Sequence, residues 1–293
     1  MRFVPTYKPR ASALHSARAG AAAAFCCSFA LVGALYQHPL VLAAALVGIL
    51  LAAAAAGVGA EVRIAMLHSL ALALLVTLVN PLVYSEGETL LIRGGDFLGH
   101  RIDITLEALV AGALAGFRVV VIVTALGLLS AAVDPDELLK LFRRVSYRSA
   151  LTASLATRLV PVLARDASRM SDAARCRARP PERLAVLRAA VSGALDRAVD
   201  VAAALEVRGY ALAGRPSRAH EPWSRHDLRV GGAAILIAVA AIAGRLAGVG
   251  GLDAYPALEL SVGPGELALA LGLVSFAALP FAGAAARLGV ARG

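Results

Sequence analysis

Six long runs of hydrophobic residues are the strongest pattern in the chain. Each approaches or exceeds the roughly 20 apolar residues with which a helix crosses the hydrocarbon core of a bilayer. The runs cover residues 19–36, 40–56, 64–83, 108–133, 230–249 and 267–288. Because only Gln37, His38 and Pro39 separate the first two runs, a helical hairpin is predicted there. The sequence therefore predicts an all-α integral membrane protein with about six transmembrane helices.

A polar interval at residues 134–229 separates the fourth run from the fifth. It carries too many charges to lie in a bilayer, yet its apolar residues recur at helical spacing. We therefore expect three parts. They are an N-terminal membrane part over 1–133 with about four spans, a cytoplasmic coupling-helix region over 134–229, and a C-terminal membrane part over 230–293 with about two spans.

The polar interval predicts one short helix and two long amphipathic helices. The predicted helices cover about 137–144, 151–177 and 182–209. An Asp-Pro pair at 134–135 is a helix start signal, and Pro180-Pro181 would end the first long helix. Gly209 is the residue type expected just past a helix C-terminus.

Each long helix carries an apolar stripe on one side. Its members recur three or four residues apart, as one face of a helix requires. They include Leu151, Leu155 and Leu159 on the first helix, and Leu184, Leu187, Val191 and Leu195 on the second.

The distribution of charge predicts the orientation in the membrane, because Lys and Arg are enriched in loops that stay in the cytoplasm. Residues 1–18 carry four Lys and Arg and no acid. The interval 134–229 carries 18 Lys and Arg against 11 Asp and Glu, whereas the loop 85–107 has two Arg against five acids. We therefore expect a multi-pass protein of the cell membrane with both termini in the cytoplasm.

Composition and motifs exclude several classes of protein. Hydrophobic residues make up 59% of the chain and aromatic residues only 5%, so its net charge of +9 does not indicate a nucleic-acid surface, which would need stacking aromatic side chains. There is no phosphate-binding loop, no helical zinc motif and no serine-nucleophile elbow. We expect a chain that is not an enzyme and binds no metal or other cofactor itself, so any ATP must be used by another subunit.

Arg118 is the one charge well inside a predicted span. An exposed guanidinium would cost several kcal/mol at that depth, so the side chain must face protein, water or a partner group. One hypothesis is that Arg118 is a structural pin within the membrane or contacts a partner membrane protein. The other is internal hydrogen bonding to backbone carbonyl groups and to polar side chains such as Asn80.

Small residues four apart also occur in the spans, and they would let helices approach closely. The pairs are Gly112 with Gly116 and Gly244 with Gly248. Such pairs arise by chance in a chain with 27 glycines.

Both long amphipathic helices are predicted to end in an arginine beside a small residue. The two tips are Cys176-Arg177-Ala178 and Val207-Arg208-Gly209. One hypothesis is that each cation simply complements the dipole of its helix. The other is that each tip inserts into a cleft on a partner, where a guanidinium binds carboxylate or carbonyl oxygens.

The chain resembles a known family, the transmembrane T component of energy-coupling factor (ECF) transporters, including the cobalt and nickel uptake branch. The resemblance covers about residues 14–215 and is ordered along the chain. Its elements are Asn80-Pro81-Leu82, Asp103-Ile104-Thr105, Phe117-Arg118, Asp136-Glu137-Leu138, Arg158-Leu159-Val160-Pro161 and the two arginine tips. The first tip departs from the family pattern, because Ala178 stands in place of glycine, and Arg175 offers a second register.

The resemblance implies a coupling subunit of an ECF-type ABC importer for a vitamin or a transition-metal ion. Its partners would be two cytoplasmic ATPase subunits, which hold ATP and magnesium, and a small membrane subunit that binds the substrate. The two arginine tips would contact the ATPases, and the apolar stripes would pack on each other and on the substrate-binding subunit.

Two other classes stay open. A permease acting alone would need polar groups or broken helices near the middle of the membrane. An intramembrane enzyme would need a cluster of catalytic side chains at one depth. Recovery of two ATPases with the tagged chain would separate these hypotheses from the coupling subunit.

Overall fold

A computed structural model describes residues 10, 12–83, 90–97, 100–142, 147–177, 181–209, 223–251 and 263–282. These residues are mainly helical. The helices are α1 (Ala13–Ser16), α2 (Ala19–Leu35), α3 (Pro39–Ala55), α4 (Gly59–Val83), α5 (Leu106–Ala132), α6 (Pro135–Phe142), α7 (Tyr147–Arg175), α8 (Arg183–Val207), α9 (Arg225–Leu246) and α10 (Pro264–Ala278), followed by a 3-10 turn at Leu279–Phe281.

A two-stranded antiparallel hairpin joins α4 to α5. Strand β1 covers Leu90–Phe97 and β2 covers His100–Thr105, with Leu90 paired to Thr105. The sequence analysis predicted only a loop here. The alternation in Arg-Ile-Asp-Ile-Thr at 101–105 is the period-two pattern of a strand, but it is too short to stand out beside the long apolar runs.

The predicted helical class and the membrane character are confirmed. Among the described residues, four helices are long and apolar enough to cross a membrane. These spans are Gly59–Asn80, Leu106–Ala132, Arg225–Leu246 and Pro264–Phe281. Helices α2 and α3 are apolar but have 17 residues each, which is the lower limit for a span, so the count of six spans stays a prediction. The end of the sixth predicted run, 283–288, lies outside the described residues.

The chain divides into two compact units. The first comprises Met1–Leu138 and Trp223–Gly293, and the second comprises Leu139–Pro222. The second unit lies wholly inside the interval 134–229 for which the sequence predicts a cytoplasmic location.

Helix α6 begins as the sequence predicts. Pro135 is its first residue, where the missing N–H of proline costs nothing. The Asp134 side chain accepts a hydrogen bond of 2.9 Å from the backbone N–H of Asp136, which satisfies one of the unpaired donors of the first turn.

Helices α4 and α5 run antiparallel in the first unit. Asn80 Nδ2 donates to the Ala108 carbonyl at 3.2 Å, and Thr77 Oγ1 lies 3.3 Å from the Gly112 carbonyl oxygen. At the other end of the pair, Gly127 packs against the Cβ of Ala65. The end of α4 therefore contacts the start of α5, and the start of α4 contacts the end of α5.

Helices α2 and α9 run parallel to each other. At one end the backbone N–H of Arg18 donates to Asp227 Oδ1 at 2.6 Å, and Arg18 Nε lies 3.4 Å from Oδ2 of the same carboxylate. At the other end Tyr36 Oη donates to the Ala241 carbonyl at 2.7 Å. The two helices therefore begin at the same end of the first unit.

The remaining contacts fix the direction of the other helices. Gly57, just after α3, lies beside the Arg10 side chain, whose Nη2 also lies 2.8 Å from Glu61 Oε1 in the first turn of α4. Gly265 packs on Val249, so α10 begins beside the end of α9. Leu228 and Leu279 line one groove, so α10 ends beside the start of α9. Helices α2, α4 and α9 thus begin where α3, α5 and α10 end, and we call this the basal end.

Gly112 and Gly116 form a close contact between α5 and α4. A Cβ on Gly116 would lie 2.7 Å from the Ala73 carbonyl oxygen and 2.8 Å from Thr77 Oγ1, and a Cβ on Gly112 would lie 2.9 Å from the Thr77 carbonyl oxygen. Only glycine allows the two backbones to approach this closely. Of the two small-residue pairs in the sequence, this one is therefore a helix-packing pair.

The second pair, Gly244 and Gly248, has a different role. Gly244 packs on Tyr36 Oη, but α9 ends at Leu246 and Gly248 has a positive φ of 76° in the turn that follows. This pair therefore does not make one helix-packing face.

We predict that Gly116→Ala lowers the free energy of unfolding by about 1–3 kcal/mol, because the added methyl group forces α4 and α5 apart. Unfolding of the purified chain in detergent measures this. Gly272→Ala is the matched control, since its Cβ would meet only Phe276 Cε2, at 3.7 Å. Equal stability of the two variants would contradict the proposed tight contact.

Candidate functional site

Helices α7 and α8 of the second unit contact each other around one ion pair. Arg197 Nη1 lies 2.6 Å from Asp166 Oδ2, with both side chains partly exposed. Four residues away on each helix, Gly193 faces the Met170 side chain, since a Cβ on Gly193 would lie 3.8 Å from Met170 Cε. Because Asp166 precedes Met170 whereas Gly193 precedes Arg197, the helices run antiparallel where they meet.

The ion pair lies at equal distances from the two predicted tips. Arg177 is 11 residues beyond Asp166, and Arg208 is 11 residues beyond Arg197. At the rise of an α-helix, each separation is about 16 Å. Since the helices are antiparallel at the ion pair, the tips lie on opposite sides of it.

The first tip follows the end of α7 at Arg175. The backbone N–H of Cys176 donates to the Asp172 carbonyl, and that of Arg177 donates to the Ala174 carbonyl, both at 3.3 Å. Arg175 Nη1 lies 3.9 Å from Asp172 Oδ1 on the exposed surface. Arg177 is also exposed, and within the described ranges its side chain has no hydrogen bond or ion pair. Ala178 lies outside the described residues.

The second tip has the geometry of a glycine-terminated helix. Helix α8 ends at Val207, which is 90% exposed, and Arg208 follows as the cap. Gly209 has a φ of 76°, and its N–H donates to the Glu206 carbonyl at 2.9 Å. A left-handed residue past the last turn favours glycine. Arg208 is exposed, and no polar partner of its side chain occurs in the part of the chain that the structure describes.

The predicted apolar stripe of α8 faces outward. Four of its members are more than half exposed, namely Leu184, Leu187, Val191 and Leu195. Leu155 and Leu159 on α7 are half-buried, and the Leu151 side chain lies outside the described residues. Within the described residues, α7 therefore leaves most of the apolar stripe of α8 uncovered.

Arg118 binds the end of a neighbouring helix. Its Nε donates to the Gly33 carbonyl at 3.0 Å, and its Nη2 donates to the Ala34 carbonyl at 2.6 Å. The last carbonyl groups of a helix have no partner within the helix and carry its partial negative charge. The guanidinium of α5 therefore caps the C-terminus of α2, as the hypothesis of internal hydrogen bonding predicts, whereas Asn80 bonds elsewhere.

One polar cluster was missed in the sequence. Ser224 caps α9, its Oγ accepts from the Asp227 N–H at 3.1 Å, and Asp227 Oδ2 accepts from the Ser224 N–H at 2.8 Å. Asp227 is 2% exposed and also binds Arg18. A serine followed three residues later by an acid is a capping-box signal, and it would have started this helix at Arg225 rather than at residue 230.

Acidic, histidine and cysteine side chains are the groups that could ligate a metal ion. Within the described ranges, no three of them are grouped so as to hold a metal ion.

The comparison with protein families agrees with the resemblance found in the sequence. The model of the family CbiQ, described as cobalt transport protein, matches residues 10–220. Because this match covers well over half of the chain, the protein belongs to the CbiQ family of cobalt transport proteins. As a member of this family, the chain is a membrane component of a transporter. No curated protein matches the chain.

We predict that Arg118→Leu lowers the free energy of unfolding by about 1–3 kcal/mol, because two carbonyl groups of α2 lose a charged donor. Thermal unfolding in detergent measures the change. Arg245→Leu is the control, since Arg245 is exposed near the C-terminus of α9. If both variants unfold at the same temperature, Arg118 does not stabilise the α2–α5 contact.

Proposed function

We propose that this chain is the coupling subunit of an ECF-type ABC importer. It transmits motion from two cytoplasmic ATPases to a membrane subunit that binds the substrate. The observation that carries the proposal is the pair of exposed arginine tips, Arg177 and Arg208, at equal distances on opposite sides of the α7–α8 ion pair. Membership of the CbiQ family supports it.

The tips are suited to two separate protein partners. Each presents a guanidinium whose donors are uncommitted within the described residues, and each lies on a short turn at a helix end. A guanidinium binds carboxylates in a bidentate manner, so an acidic groove on each ATPase would accept one tip. Cys176 and Val207 precede the two arginines, and the small residues Ala178 and Gly209 that follow them would allow close approach of a partner.

The ion pair between Asp166 and Arg197 is the pivot in this proposal. ATP binding closes the two ATPases and moves the tips relative to each other. Because α7 and α8 are held together at the ion pair, movement of the tips changes the crossing of the helices. The chain itself binds no cofactor in this mechanism, since ATP and magnesium stay on the ATPases.

The exposed stripe of α8 is the proposed contact with the substrate-binding subunit. Leu184, Leu187, Val191 and Leu195 form a continuous apolar face, and such faces mark sites of interaction. Leu151, Leu155 and Leu159 on α7 extend the same contact. The cargo is a vitamin or a transition-metal ion, and the family description favours the metal ion.

The orientation follows from the basal end of the first unit. Arg10 and Arg18 lie at this end, together with the start of α9 at Arg225. Because basic residues are retained in the cytoplasm, we place the basal end there. The N-terminus and the C-terminus then lie on the cytoplasmic side of the cell membrane. The interval 134–229 is assigned to the cytoplasm by its own excess of Lys and Arg.

A permease acting alone is less well supported. Arg118 lies near the middle of the described span Leu106–Ala132, where a substrate could pass, but two of its donors already bind the carbonyl groups of Gly33 and Ala34. Its position is explained by the packing of α2 on α5.

We predict that Arg208→Glu abolishes transport and leaves membrane insertion intact, because the reversed charge repels an acidic groove. Uptake of radioactive cobalt ion by cells with the complete transporter measures this, with the amount of chain in the membrane fraction as a check. Asp196→Lys, a charge reversal at an exposed position in the middle of α8 and off the apolar stripe, should transport normally. Normal uptake by Arg208→Glu would refute the role of this tip.

We also predict that Arg177→Glu combined with Arg208→Glu reduces recovery of the two ATPases more than either change alone. Co-purification with the tagged chain measures the recovery. Arg175→Glu is the register control, because Arg175 already lies near Asp172. Undiminished recovery with the double variant would leave the arginines as caps of the helix dipole, and loss with Arg175→Glu alone would move the first tip by two residues.

A further inference from the structure

A groove of about 470 Å³ lies at the basal end, between the first turns of α9 and the end of α10. Its walls include Leu228, Leu236, Leu279 and Ala282, and Arg229 lines the same groove. Gly232 leaves its base open, since a Cβ there would meet no atom within 4 Å. The groove is thus apolar along its length and cationic at one position.

Trp223 lies two residues before the start of α9, the helix end that lines this groove. It is 63% exposed, and the Arg18 guanidinium lies 5.3 Å from its ring centroid. Tryptophan beside basic residues is typical of the interface between lipid and water. From Arg229 to Leu236 the helix rises about 10 Å, so the groove extends from the headgroup level into the acyl region.

The basic side chains at this mouth are available for an anion. Arg225 and Arg229 are one turn apart on α9 and exposed, and neither has a hydrogen bond or ion pair within the described residues. The nearest acid in sequence, Asp227, is buried and already binds Arg18 and the Ser224 N–H. The two cations are therefore not neutralised by it.

We propose that this groove binds one anionic phospholipid of the cytoplasmic leaflet. Its acyl chain lies along Gly232, Leu236 and Leu279, and its phosphate binds Arg229 and Arg225. The choice of leaflet rests on the orientation proposed above. A neutral lipid would fill the apolar part equally well, but it would leave the two arginines without a net negative partner.

The test uses the full chain in detergent, titrated with phosphatidylglycerol or with phosphatidylcholine, and native mass spectrometry counts the bound lipid. The wild-type chain should retain phosphatidylglycerol in preference to phosphatidylcholine. Arg229→Gln should weaken that preference about fivefold, the factor expected for one cation near an anionic lipid surface. Gly232→Leu should weaken the binding of both lipids, because its side chain fills the groove.

Two further variants separate the site from general effects of charge and folding. Arg229→Lys should keep most of the preference, and Arg245→Gln, at the opposite end of α9, should keep all of it. Helix content by circular dichroism checks that each variant folds.

The proposal is overturned if Arg229→Gln keeps the full preference for phosphatidylglycerol or if Gly232→Leu binds as much lipid as the wild type. Either result would assign the groove to ordinary surrounding lipid or to another occupant. Because no ATPase is present, failure here leaves the coupling proposal standing.

Discussion

Three polar side chains inside the first unit donate to carbonyl groups of neighbouring helices, and the contacts between those helices depend on these hydrogen bonds. Water is absent from the hydrocarbon core, so a polar side chain there needs a partner within the protein. Arg118, Tyr36 and Asn80 each donate to a backbone carbonyl of another helix. Each of these side chains joins two helices, which fixes the α2–α5, α2–α9 and α4–α5 contacts in turn.

Packing within the first unit follows from the same contacts. Where Thr77 and Asn80 of α4 reach carbonyl groups of α5, the backbones must approach closely, and Gly112 and Gly116 make this possible. Where Arg118 reaches α2, Gly33 plays the same part, since a Cβ there would lie 2.9 Å from Ile122 Cγ1. Small residues and polar donors are therefore two parts of one packing arrangement.

The second unit is packed differently, because many of its described side chains are exposed. Its helices contact each other at the ion pair between Asp166 and Arg197, and an exposed apolar face remains on α8. A partly exposed ion pair contributes little to stability, but it holds the two helices together at one point. In the function proposed above, this pair of helices with its exposed arginine tips transmits movement, and the first unit anchors it in the membrane.

The sequence by itself determined the elements that depend on local chemistry. The apolar runs predicted the helices of the first unit, Asp134 and Pro135 predicted the start of α6, and Gly209 predicted the end of α8, because spacing and capping act within one or two turns. The motifs also identified the family. Only the tertiary structure decided which carbonyl groups Arg118 binds, which glycine pair packs two helices, how α7 meets α8 and that a hairpin precedes α5. These features depend on residues far apart in the chain, and the pattern of a single helix states which face is apolar but not which neighbour covers it.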